Sequence, residues 1–288
     1  MLWMLRGLIL VHALGIAAMY LFAEFEKDSS IWSLLVIDWS FSEATAYLVD
    51  DSGHWLFLIS AVVLLVLPLF QKQESEKPTN KVNLALQILL LCFIAFWPAA
   101  MAAAKSFRHP NEFPESYTLA SHSARYLLPV ALIALLLSKE NLAMWLLRIG
   151  SSLTFFFHGL AAIFQKASFV DFLLNSSQNL LAWDMPESTA NTLLYLIGAI
   201  DVAVAILILI EKSRFVAGYM ASWGLITAAS RMTAGGIEQY PELLIRAAHF
   251  GAPLVLLLYW QFQASSCRPP QSESEPAHDT PPVKSNQT

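Results

Sequence analysis

The chain is poor in charged residues and in cysteine, and both shortages restrict what it can be. Only 14% of its 288 residues are charged, against roughly 25% in an ordinary soluble domain, and 56% are hydrophobic. Its two cysteines, Cys92 and Cys267, form no Cys-x-x-Cys motif, so the chain lacks the apparatus for thiol–disulfide chemistry. No basic run points to nucleic acid as a partner. This composition indicates a membrane protein whose first partner is the lipid bilayer.

Long apolar stretches are the main structural signal. Several approach the ~20 residues that a hydrocarbon core of roughly 30 Å requires. Because the backbone must satisfy its own hydrogen bonds in lipid, and nothing alternates like a barrel strand, we predict an all-α integral membrane protein. The eight predicted transmembrane helices cover residues 3–23, 55–70, 82–104, 119–137, 143–164, 192–210, 215–233 and 243–263.

The placement of lysine and arginine predicts the orientation. With eight spans, ten basic residues fall on one side, whereas the loops 24–54 and 165–191 are richer in acid. We therefore expect a multi-pass protein of the cell inner membrane with both termini in the cytoplasm. Residues 265–288 are rich in proline, serine and acid, which is typical of a disordered cytoplasmic tail.

Short motifs recur between the two halves of the chain. Trp-x-Leu-Arg occurs at 3–6 and again at 145–148, and Pro-Glu-x4-Ala-x-His occurs at 114–122 and again at 241–249. Two further matches follow the same order. They predict two parallel four-helix repeats, residues 1–141 and 142–264, related by a pseudo-twofold axis along the membrane normal. A polar residue at matching depth in both halves is then a strong functional candidate.

Eight residues are the candidate site. Charged and histidine side chains at such depth are expensive unless they are paired or face a wet cavity. The sequence places most of them toward the outer face, between the two halves, where few acids other than Glu115 and Glu242 are available to neutralise them. The candidates are Asp201, His249 and His158 as catalytic residues, and Arg246, Arg231, His122, Arg125 and Lys105 as ligand-binding residues.

Structural roles for the same residues stay open at this point. The basic side chains could extend to the lipid headgroups or form ion pairs between helices. Asp201 could be a structural partner of Arg231 or His158. Paired histidines (His122 with His249, or His12 with His158) could hold a haem b, although no sustained motif supports it. No carboxylate cluster predicts a metal site, and neither a nucleophile elbow nor a phosphate loop is present.

Residues 143–262 resemble the DoxX-like family of four-helix membrane proteins. The motifs that carry the resemblance are Arg148, His158-Gly159 with Lys166, Gly198-x2-Asp201 and Arg246-x4-Gly251. The first half matches only through the internal repeat, because Val63 stands where the second half has Asp201. The resemblance implies a subunit or accessory of a membrane oxidoreductase.

Three functions are compatible with these residues. The first is a redox-associated subunit that handles a quinone or a small oxyanion near the outer face, with a soluble or membrane redox partner. In it, Arg246 would supply fixed positive charge, and His249 with Asp201 a proton path. The second is a transporter of a small organic anion, which Pro129 and Pro253 favour because broken helices are common in transporters. The third is a non-catalytic membrane scaffold.

Overall fold

The computed structural model describes residues 1–22, 28–71 and 81–266, and all regular structure in these ranges is helical. Short 3-10 turns, Glu115–Tyr117 and Ile237–Gln239, precede two of the helices, and a π-helical segment, Leu34–Asp38, follows another. The α-helices are α1 (Leu2–Tyr20), α2 (Ser30–Ser33), α3 (Glu43–Gln71), α4 (Lys81–Arg108), α5 (Thr118–Ser121), α6 (Ser123–Leu136), α7 (Glu140–Ile163), α8 (Ala167–Leu181), α9 (Glu187–Ile210), α10 (Arg214–Gly235), α11 (Tyr240–Ile245) and α12 (Ala247–Ser266).

Several helices are long and apolar enough to cross a membrane, which indicates a multi-pass membrane protein. Within the described ranges six spans meet both criteria, and a seventh is added if the pair α11 and α12, bent by 53°, forms one span. The remaining predicted span, residues 215–233, corresponds to α10, whose 22 residues extend about 33 Å but include many small and polar side chains. The all-helical membrane class is confirmed, and eight crossings stay a prediction.

The centre of the bundle is built from α1, α6, α7 and α12. Their facing sides bury Leu5, Leu128, Leu147 and Leu256 in one continuous core. The remaining long helices pack around this centre: α3 on α1, α4 on α6, α9 on α7 and α10 on α12. Helices that are hydrophobic on most faces can bury one side in protein and leave the other to lipid.

Two predicted loops contain helices. α3 begins at Glu43, not at residue 55, because Ser42 caps it: the Ser42 Oγ accepts a hydrogen bond from the Thr45 N–H at 3.2 Å. The loop 165–191 contains α8. Part of the loop 24–54, including Lys27, and the tail from residue 267 onward lie outside the described residues, while residues 265–266 belong to α12.

The order of elements is similar in the two halves. Each has a long helix, a shorter helical segment, two long helices and a helix interrupted near its start. The two Trp-x-Leu-Arg motifs also have the same local geometry, with Arg6 5.4 Å from the Trp3 ring centroid and Arg148 4.2 Å from that of Trp145. The tandem repeat itself stays a prediction, because similar order does not establish matching positions in space.

Candidate ligand-binding site

Two neighbouring cavities lie at one end of the bundle. The larger, of about 570 Å³, is called the polar cavity and is lined from both predicted halves of the chain. Its wall comes from the ends of α1, α4 and α7, from α8, and from the starts of α6 and α11. Six of the predicted site residues line it: Lys105, His122, Arg125, His158, Arg231 and Arg246.

The smaller cavity, of about 430 Å³, is called the apolar cavity and lies mainly between α7, α8, α9 and α10. Apolar side chains form most of its wall, among them Phe155, Leu173 and Ile197. It is also lined by Asp201 and His249, so the two cavities together contain all eight sequence-predicted site residues. The side chains common to both cavities are His158, Phe169, Phe172, Arg231 and Arg246.

Two helix breaks bring the basic and histidine residues to the cavities. The helical backbone is interrupted at His122, between α5 and α6, and at Arg246, between α11 and α12. At each break the carbonyl accepts a hydrogen bond from the residue three positions later: Arg125 N–H to His122 O at 2.9 Å, and His249 N–H to Arg246 O at 2.8 Å. The breaks lie about two turns before Pro129 and Pro253, and prolines weaken the turn that precedes them.

The two breaks do not fall at equivalent positions of the internal sequence match. The sequence comparison paired His122 with His249, but the breaks place His122 opposite Arg246 and Arg125 opposite His249. The first member of each pair, His122 or Arg246, is the residue at the break. The two breaks therefore carry the same residue types in opposite order.

The three predicted histidines form a cluster. The ring centroid of His122 lies 6.4 Å from that of His158 and 6.1 Å from that of His249, and the latter two are 5.4 Å apart. His158 Nδ1 lies 2.8 Å from the Thr154 carbonyl oxygen, which can only accept, so this nitrogen carries the proton. A neutral His158 therefore presents Nε2 as an acceptor.

Arg125 connects this cluster to the charged wall. Its Nε–H donates to His249 Nε2 at 3.2 Å, which requires that nitrogen to be unprotonated. The bond joins the first half of the chain to the second, and it fixes the orientation of the His249 ring beside the apolar cavity.

The polar cavity carries an excess of positive charge. The cationic side chains in its wall are Lys105, Arg125, Lys166, Arg231 and Arg246, and the acidic ones are Asp171 and Glu242. Arg246 is paired with Glu242 and also donates to the Glu242 carbonyl oxygen. Lys166 is paired with Glu115 at 2.6 Å.

Three of the cations are left without a carboxylate. Among the described residues, Lys105, Arg125 and Arg231 have no carboxylate oxygen within the 4.0 Å of an ion pair. Arg231 instead stacks its guanidinium 3.5 Å from the centroid of the Phe172 ring, and its buried Nε has no hydrogen-bond partner. These three cations therefore line the polar cavity without an ion-pair partner in the described part of the chain, while the Nε–H of Arg125 is donated to His249.

Asp201 lies buried in the wall of the apolar cavity. The structural alternative, an ion pair with Arg231 or His158, is wrong: neither forms an ion pair with Asp201 in the described part of the chain. Its buried Oδ1 has no hydrogen-bond partner within 3.5 Å, and neither has the Nε1 of Trp223, the indole that interacts with this carboxyl group. The carboxyl group is therefore held by packing rather than by charge.

Several lining residues were missed by the sequence analysis. Phe169 and Phe172 separate the two cavities, and they lie on α8, in a segment predicted to be a loop. The spacing of Phe169, Phe172, Leu173 and Leu180 is that of one face of a helix, so a test for helical periodicity could have found α8. Tyr20, at the end of α1, gives no comparable signal.

His12 supports the break at Arg246 and lines neither cavity. Its Nδ1 lies 2.6 Å from the carbonyl oxygen of Ile245, the residue just before the break. α1 approaches this point closely, since a Cβ on Gly15 would lie 2.5 Å from the Ile245 nitrogen. His12 and His158 are therefore not arranged to share a ligand, and the role of His12 is to satisfy a carbonyl that the break leaves free.

Neither a metal-binding group among the described residues nor a similar known protein identifies the ligand of this site. Within residues 1–22, 28–71 and 81–266, no three His, Cys, Asp or Glu side chains are grouped so that they could hold a metal ion. The chain matches no family model, and no curated protein or solved structure matches it. The resemblance to the DoxX-like family accordingly stays an expectation, and the site has to be interpreted from its own residues.

Proposed function

We propose that this protein binds a small anion, an oxyanion or an organic acid, in the polar cavity. The observation that carries the proposal is the set of three cations, Lys105, Arg125 and Arg231, that face the cavity without a carboxylate partner among the residues that the structure describes. A charge inside a membrane is costly unless it is paired or wet, by at least ~2.5 kcal/mol in the mildest measurements. A bound anion would offset this cost for three side chains at once.

The broken helices favour the same ligand. α6 and α12 both begin at the cavities, next to His122 and Arg246, and the start of a helix carries a partial positive charge. Membrane transporters use such interrupted helices to bind anionic groups near the middle of the bilayer. This feature favours transport of a small organic anion as the function of the binding site.

A redox-associated role is the second candidate. His158, His249 and Asp201 stand together around the apolar cavity, where a quinone ring would find both apolar contacts and groups able to exchange protons. Such a role, in keeping with the DoxX-like resemblance, needs a partner protein to supply or accept electrons. In both candidates the protein lies in the inner membrane with its termini in the cytoplasm.

The proposal is tested by anion binding to the purified protein. We would titrate the protein with sulfate, phosphate and acetate by calorimetry, and compare it with the variant Arg125→Gln. A charge-assisted hydrogen bond contributes about 1.5–3 kcal/mol, so the variant should bind its anion roughly 10- to 150-fold more weakly. The matched control is Arg108→Gln, since Arg108 lines neither cavity and pairs with Asp38 at 2.8 Å.

The outcomes separate the candidates. Equal affinity in wild type and Arg125→Gln, or no binding of any anion, contradicts the proposal. A quinone in the organic extract of the purified protein that is lost in Asp201→Ala supports the redox role, and uptake into proteoliposomes that is lost in Arg125→Gln supports transport.

A further inference from the structure

We propose that the ligand is an amphipathic anion, whose charged end lies in the polar cavity and whose apolar end lies in the apolar cavity. The inference rests on the proposed function, because it extends the anion site rather than replacing it. It assigns a chemical class to the ligand: a medium-chain carboxylic acid or another anion with an apolar body of similar size.

The shared wall is the first reason. Five side chains line both cavities, so the cavities adjoin, and among these five are Arg231 and Phe172. The Arg231 guanidinium lies 3.5 Å from the Phe172 ring centroid, and the residue is only 8% exposed. An anionic group on Arg231 would be held at the boundary, with the rest of the molecule directed past the Phe172 ring.

The character of the second cavity is the next reason. At about 430 Å³ it lies within the range of ~300–1,000 Å³ typical of sites for small organic molecules. Leu173, Leu194 and Ile197 contribute to a mainly apolar wall, and the cations in that wall, Arg231 and Arg246, are those that it shares with the polar cavity. An apolar chain placed there would gain affinity for each methylene it buries.

The position of the apolar cavity indicates how such a ligand enters. Two of its lining side chains, Leu180 on α8 and Ile226 on α10, are 65% and 56% exposed on the outside of the bundle. Both side chains are apolar, so the edge of the cavity between α8 and α10 is an apolar opening on the outside of the bundle. An amphipathic acid can therefore reach the apolar cavity from this side, between α8 and α10, without crossing the polar cavity.

The test measures how affinity depends on chain length. The full-length protein in nanodiscs of neutral phosphatidylcholine is titrated with straight-chain carboxylates from acetate to octanoate, and empty nanodiscs give the correction for partitioning. We expect affinity to rise about fourfold per methylene, which corresponds to ~0.8 kcal/mol, until the apolar cavity is full. Alcohols of the same chain length should bind at least 10-fold more weakly than the acids.

A substitution that fills the apolar cavity distinguishes binding of the apolar end of the ligand from binding of its charged end. In Thr227→Phe, on the cavity wall, octanoate should lose its advantage over acetate, while acetate binds as in wild type. The control is Thr192→Phe, which introduces the same ring at an exposed position of α9 outside both cavities. Should Thr227→Phe fail to fold, Ile197→Phe fills the same cavity from α9.

Each outcome has one meaning. Binding of acetate that is lost in Arg125→Gln, together with affinity that does not change with chain length, overturns the amphipathic ligand and leaves the anion site standing. Alcohols that bind as tightly as acids also overturn it. No binding by any carboxylate or oxyanion overturns both proposals.

A further titration, in nanodiscs that contain an anionic phospholipid, distinguishes a soluble acid from a membrane lipid as the source of the anion. Incorporation of an anionic phospholipid in the nanodisc should leave octanoate affinity unchanged if the ligand is a free acid. A fall in affinity that follows the anionic lipid content identifies a lipid headgroup as the occupant, and overturns the assignment to a carboxylic acid of medium chain length.

Discussion

Replacing Asp201 by valine should leave the protein as stable as before, or make it more stable. Asp201 is 6% exposed, its Oδ1 has no hydrogen-bond partner, and it forms no ion pair within the described residues. A buried polar group without a partner costs about 1–3 kcal/mol. Valine has similar volume and about the same helix propensity and removes this cost, so we expect a net gain of up to ~2 kcal/mol.

Asp50 offers a matched control, because it is equally buried but has partners. It is 5% exposed, its Oδ1 accepts a hydrogen bond from Ser29 Oγ at 2.5 Å, and the same oxygen lies 3.8 Å from His54 Nδ1. Asp50→Val leaves the Ser29 hydroxyl without its acceptor and should cost about 1–3 kcal/mol, with no difference in helix propensity from the first variant.

The assay is reversible unfolding in mixed micelles with increasing dodecyl sulfate, followed by circular dichroism. The expected order of stability is Asp201→Val, wild type, Asp50→Val. A loss of several kcal/mol in Asp201→Val, equal to or larger than that in Asp50→Val, would refute the reasoning, since it is what breaking a buried ion pair produces. A buried residue that lowers the stability of the protein is explained by a functional role. The comparison of stabilities therefore tests whether Asp201 belongs to the site.

Two further predictions concern packing and topology. Gly198→Ala should destabilise the protein by about 1–3 kcal/mol, since the new Cβ would lie 2.4 Å from the Gly159 carbonyl oxygen. Gly218→Ala, whose new Cβ would have its nearest neighbour at 3.8 Å, should be neutral or stabilising. Thermal unfolding of both variants checks this prediction, and equal midpoints contradict it. Reporter fusions after residue 212 and at the C-terminus should both report the cytoplasmic side if α10 crosses the membrane; a C-terminal fusion active on the outer side means seven spans.

Hydrophobic runs predicted the helical membrane class because the bilayer leaves so little choice of backbone structure. The same runs predicted the start of α3 wrongly, since Asp50 and His54 made residues 43–54 look too polar for a helix. Both side chains are buried against protein rather than lipid. A hydropathy argument treats every polar residue as exposed to lipid, so it shortens the helices that face a protein interior.

The site residues were identifiable from sequence because polar groups in an apolar chain are rare. Their geometry was not: no pattern specifies that Arg125 donates to His249, because that bond depends on two helix breaks in distant parts of the chain. The prolines pointed to interruption of both helices, yet the interruptions fall earlier, at His122 and Arg246. Phe169 and Phe172, the α8 side chains between the two cavities, were missed because their segment also contains polar residues typical of a loop.

The opposite order of residues at the two helix breaks has a consequence for stoichiometry. Arg125 donates to a histidine of the other half, whereas Arg246 is occupied by Glu242 on the preceding helix, so the two arginines are not chemically equivalent. A symmetric pair of breaks would present two identical half-sites and accept a ligand in either direction. For the anion site proposed above, the asymmetric pair predicts one ligand per chain, bound in a single orientation, and a binding isotherm with neither a second site nor cooperativity within the monomer.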